Sequence, residues 1–123
     1  MTTTPESFPR PLRTLLGACA FVALAAAAPG SPRAADPMPT FSLTARDGAF
    51  DPPTLEVPAN KRFRIEVVNA STRPIEFESR DLKQEKVLAR GAKSSLTVNA
   101  LKPGTYTFFD DFHPETKGSV VAR

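Results

Sequence analysis

Sulfur and imidazole are scarce in this chain: 123 residues include one cysteine and one histidine, and tryptophan is absent. The lone cysteine, Cys19, falls in the apolar run "TLLGACAFVALAAAAP" at residues 14 to 29, so everything after that run is thiol-free. A disulfide framework is thereby excluded from the rest of the chain. With no cysteine after that run, one histidine and no G-x-S-x-G run, no catalytic nucleophile arrangement is visible, so a hydrolase is not expected and no catalytic residue is assigned. Charge of one sign is also lacking. The formal net charge of +3 comes largely from Arg10, Arg13 and Arg33 near the start, and the remainder is almost balanced, which removes the usual electrostatic footprint of a nucleic-acid binder.

What is present begins with an export pattern. Arg10 and Arg13 precede the apolar run, small residues follow it, and the run is too short and too alanine-rich to anchor in a bilayer. Residues 1–35 are therefore read as a signal peptide and small-residue spacer, with cleavage between residues 27 and 35. The mature protein is expected to be periplasmic, without a membrane anchor after cleavage.

From Thr40 onward the pattern changes to alternation with a period of two. Phe41 and Leu43, Leu55 and Val57, and Phe63, Ile65 and Val67 each skip a polar or charged neighbour, as a strand with one buried face requires. Further strands are expected at residues 75–78, 86–89, 94–99, 106–110 and 119–122. Turn chemistry falls between them at "DGAFDPP", "PANK", "NASTRP", "ARGAK" and "LKPG". The segment "SRDLKQEKV", residues 79 to 87, is open between a single helical turn and a connection. Residues 40–123 thus read as one all-β domain, a Greek-key β-sandwich of about seven or eight strands.

Two stretches carry a family resemblance. "FDPPTLEVPANKRFRIEVVNAS", residues 50 to 71, and "LKPGTYTFFDDFHPETKG", residues 101 to 118, resemble the early hairpin and the ligand loop of cupredoxins. Asn60 stands where the family usually has glycine, and asparagine also tolerates a positive φ. The resemblance implies a copper site built from two histidines, a cysteine and often a methionine. Only His113 matches: Ile75 or Glu76 takes the first histidine's place, Asp110 the cysteine's, and Thr116 or Lys117 the methionine's. No blue-copper centre is expected without a thiolate.

The remaining donors are hard. In "IEFES" Glu76 and Glu78 project from one face while Ile75 and Phe77 point to the other, and Asp110 shares the inward phase of Phe108. If the sandwich brings these segments together, His113, Asp110, Glu76 and Glu78 form the expected ligand set, with Asp111 weaker, and copper or iron is the expected ion. Each residue also has a plain structural reading: His113 as an exposed loop histidine, the aspartates as turn formers, the glutamates as a solvated face beside Arg73, Arg80 or Lys86. "EFES", "EKV" and "FFDDFHPETKG" are similar to exported, iron-uptake-associated cupredoxin-like proteins, including the N-terminal module of EfeO-type proteins. Phe50 and Asp110 stand where that module has cysteines. The resemblance implies a metal-binding role beside an inner-membrane iron permease and another periplasmic iron-binding protein, with assistance to iron oxidation as the nearest thing to an enzymatic role. The alternatives are a metal-free docking module of the transporter, recognising its partner through Arg80, Lys83 and Lys86, and an electron-transfer protein.

Overall fold

The structure is a computed structural model that describes residues 9, 17, 30–32, 34 and 36–123. The expected signal peptide therefore lies almost wholly outside the described residues. The compact unit Ala34–Arg123 is all β, with nine strands: β1 Thr40–Arg46, β2 Ala49–Asp51, β3 Thr54–Val57, β4 Phe63–Asn69, β5 Ile75–Ser79, β6 Gln84–Leu88, β7 Lys93–Val98, β8 Gly104–Asp110 and β9 His113–Ala122. They form two sheets, a four-stranded one in the order β2-β1-β4-β7 and a five-stranded one in the order β3-β9-β8-β5-β6. The pairs β1–β4 and β3–β9 are parallel; the others are antiparallel. This is the expected β-sandwich.

The alternation read from the sequence is the burial pattern. Along β4, Phe63, Ile65, Val67 and Asn69 are buried while Arg64, Glu66 and Val68 are half-buried. Along β5, Ile75, Phe77 and Ser79 are buried between half-buried Glu76 and Glu78. Facing rows from the two sheets meet in a core that includes Leu43, Phe50, Phe63, Ile65, Phe77, Phe108 and Val120.

Two strands differ from expectation. β2 lies within "DGAFDPP", where turn residues mask a three-residue strand whose Phe50 reaches the core. β9 begins at His113, so most of the expected ligand loop is extended chain paired with β8. A register shift at Phe109/Asp110 accommodates it, as a bulge does near a hairpin end. The open segment after Ser79 is a turn at residues 80–83, with Lys83 at φ 55°, and no helix occurs among the described residues.

Two asparagines fix the turns. Asn60 has φ 58°, the left-handed conformation anticipated for it in place of glycine. Asn69 ends β4 fully buried: its Nδ2 donates to the carbonyls of Arg73, Leu88 and Ala89, and its Oδ1 accepts from the amide and hydroxyl of Ser71. One side chain thus satisfies the backbone of a turn and of the end of β6.

Candidate functional site

The site is built at the tip of the β8–β9 hairpin. Alternation along β8 buries Phe108 and Asp110, and the turn at Asp111 and Phe112 reverses the chain so that Asp110 pairs with His113. Asp110 is only 3% exposed. A carboxylate in such a place needs donors, and it has three. Its Oδ1 accepts the amide N–H of Glu76 at 2.9 Å and of Phe112 at 3.1 Å, and its Oδ2 lies 2.9 Å from His113 Nδ1. The amide of Asp111 in turn donates to the Glu76 carbonyl at 2.8 Å. Strand β5 is therefore stitched to the hairpin tip through the backbone of Glu76.

The His113 side chain is 23% exposed. With Nδ1 donating to the carboxylate, Nε2 carries the free lone pair, the arrangement by which a carboxylate orients an imidazole for a metal.

The glutamate side chains take the other direction. Phe77 is the cross-strand partner of Asp110, and Glu78 that of Phe109, so Glu76 and Glu78 face outward from the sheet on which Asp110 faces inward. Outward, Glu78 stands opposite Glu85 on β6, and Glu76 opposite Val87. The expected set of His113, Asp110, Glu76 and Glu78 is accordingly not assembled into one donor group: Asp110 and His113 meet, Glu76 contributes its main chain, and Glu78 stays with Glu85. Asp111 is exposed in the hairpin turn, and its charge acts on Glu76. Among the described residues no three His, Cys, Asp or Glu side chains are placed to hold a metal ion together. The reason is the two-residue period of the strand, which separates the faces that the segments share.

Glu85, the first residue of "EKV", is not among the expected donors. The signal for it was the hairpin register: a turn at residues 80–83 sets Glu85 across from Glu78 and near Glu76. Desolvation pushes the Glu76 carboxyl above its ordinary value, and the nearby carboxyl of Glu85 and the charges of Asp111 and Glu78 push the same way. An acid whose pKa is raised on folding weakens the fold as pH rises through the interval above the unfolded value, and the penalty persists at neutral pH. Glu76→Gln is therefore expected to raise the melting temperature at pH 7 and low salt. The gain should disappear below the ordinary glutamate range, and a gain that is the same at pH 3 and pH 7 would contradict this cause.

Tested as a copper centre of the sulfur-ligated kind, the residues do not fit. They offer one imidazole, one carboxylate with both oxygens already hydrogen-bonded, and the buried Thr116, whose Oγ1 has no partner. There is neither thiolate nor thioether, the donors that such a centre requires.

The family model of the cupredoxin-like domain matches residues 14–122. The chain belongs to the cupredoxin-like domain family. Auracyanin B superposes on this cupredoxin-like chain with a TM-score of 0.60 at 19% identity, over 72% of this chain and 93% of its own. Auracyanin A, a blue copper protein of Chloroflexus aurantiacus, does so with a TM-score of 0.56 at 20% identity, over 68% and 98%. An uncharacterized protein, RP394, of Rickettsia prowazekii is 35% identical over 82 residues. That alignment covers 66% of each chain, just under two thirds of the relative's length.

Proposed function

We propose that this cupredoxin-like protein is an exported metal carrier, working in the periplasm without catalysing a reaction of its own. It takes up a copper or iron ion and passes it on within iron uptake, beside an inner-membrane iron permease and a second periplasmic iron-binding protein. The observation that carries the reading is the 2.9 Å contact between Asp110 Oδ2 and His113 Nδ1. It fixes the imidazole and leaves Nε2 as an oriented donor at a partly exposed position. Membership of the cupredoxin-like family favours copper; the iron-uptake setting rests on the likeness of "EFES" and "FFDDFHPETKG" to EfeO-type and related proteins. One protein nitrogen leaves the other coordination positions to water or to a partner's donors, which suits transfer better than storage.

The test is titration of the purified protein with Cu(II) and Fe(II), followed by elemental analysis. An imidazole ligates only when neutral, so affinity at pH 5 is expected to be at least about tenfold below that at pH 7.5. Equal affinity at the two pH values would remove His113 as the ligand. An intense thiolate-to-copper band is not expected, because no thiol follows residue 19.

A second reading, a metal-free docking module of the same transporter, is favoured by one observation: both oxygens of Asp110 are already taken by the protein's own donors. Absence of metal uptake at pH 7.5 would select it.

A further inference from the structure

The outer face where β5 meets β6 has a composition that neither the core nor the metal reading uses. Val87 is 54% exposed and Phe112 47%, the exposed large hydrophobics among the described residues. Glu76 brings them to one place: Val87 is its partner across the strands, and Asp111, next to Phe112, donates its amide to the Glu76 carbonyl. Glu76 thus lies beside both; Glu85, two residues before Val87 on β6, shares its face, and the charges of Asp111, Glu85 and Glu78 all act on Glu76.

No ion pair among the described residues engages any of these four. Arg80 and Lys83 line the same shallow depression as Glu78 and Glu85, so that end is partly compensated. Lys86 lies on the opposite face, across from Phe77. The less compensated end is at Glu76, on which the charges of Asp111, Glu85 and Glu78 act together, while Lys117 lies beyond Phe109 on β9. Like charges held together raise the free energy of the unbound chain, and arriving cations relieve it. The exposed Val87 and Phe112 gain in the same event by leaving water.

We propose that this face docks a segment of a partner protein that carries lysine or arginine next to apolar side chains. The recognising charges in this proposal are the acidic ones of β5, β6 and the hairpin tip. A second copy of the chain is the poorer occupant, because a symmetric pair would set these carboxylates against their own copies. The patch is a few residues across, which suits a transient encounter more than a permanent complex. None of this depends on a bound metal.

The experiment uses the 15N-labelled chain with a chelator present and two probes: a ten-residue peptide of lysine and leucine, and one of glutamate and leucine. The lysine peptide is expected to shift the amide signals of Glu76, Glu85, Val87, Asp111 and Phe112, and to bind at least about tenfold more tightly than the glutamate peptide. Binding should weaken between about 50 mM and 300 mM salt, as screening requires. Val87→Ser and Phe112→Ser, both at exposed positions, should each weaken it severalfold while the rest of the spectrum stays unchanged. Shifts centred on another face, equal binding of the two peptides, or unaltered binding by both serine variants would overturn the proposal. So would concentration-dependent shifts of the same residues without peptide, which would assign the face to a second copy.

Discussion

Replacing Phe108 by alanine is expected to destabilise the domain by about 4 kcal/mol, read from the midpoint of urea unfolding. The ring is wholly buried and is the centre of an aromatic trio. It stacks on Phe77 with centroids 5.1 Å apart and meets Phe50 edge-on at 5.0 Å. Phe50 belongs to the four-stranded sheet and the other two to the five-stranded one, so the trio joins the two layers. Alanine would remove both ring contacts and leave a cavity that three stiff strands cannot close. The same ring occupies the space above Gly118, where a Cβ would fall 2.4 Å from two of its carbons and 3.0 Å from the Pro53 carbonyl oxygen. Gly118→Ala should therefore cost about 1–3 kcal/mol by overpacking. In a Phe108→Ala background most of that cost should vanish, leaving the strain against Pro53. A double-mutant cycle is expected to show coupling of about 1 kcal/mol or more. Equal costs of Gly118→Ala in both backgrounds would show that the ring is not the obstacle.

The trio illustrates what the sequence made legible. Phe77 and Phe108 announce their inward direction through strict alternation, and the positive φ of Asn60 follows from its place in a turn. Phe50 was hidden because its strand is three residues long and wrapped in turn formers. At the candidate site, the inward phase of Asp110 and the shared face of Glu76 and Glu78 could both be read from period two. Which faces would meet could not, because that depends on register: pairing of Phe77 with Asp110 puts the glutamates on the far side, and a shift by one residue would have reversed the result. The hydrogen bonds from the amides of Glu76 and Phe112 to Asp110 were equally invisible, since main-chain donors have no residue signature.

Asp110→Asn is expected to weaken metal binding about 10–100-fold while changing stability little, and the separation of the two effects is what makes it informative. Asparagine keeps one carbonyl oxygen, which can go on accepting the amides of Glu76 and Phe112 as Oδ1 does now. The atom facing His113 Nδ1 changes from an acceptor to an NH2 donor. The imidazole must then accept at Nδ1 and carry its proton on Nε2, which removes the lone pair that would ligate. Nitrogen-15 NMR of the ring reads this exchange of tautomers directly, with or without a metal. Asp110→Ala behaves differently: two backbone N–H groups lose their acceptor, at about 1–3 kcal/mol each if they stay dry, so affinity and stability fall together. His113→Ala sets the limit, losing at least as much affinity as the asparagine variant. If the asparagine variant bound copper or iron as tightly as the parent chain while its ring had changed tautomer, Nε2 would not be the donor. The hairpin tip would then be a turn held shut by a buried carboxylate, and the metal would have to be sought elsewhere or not at all.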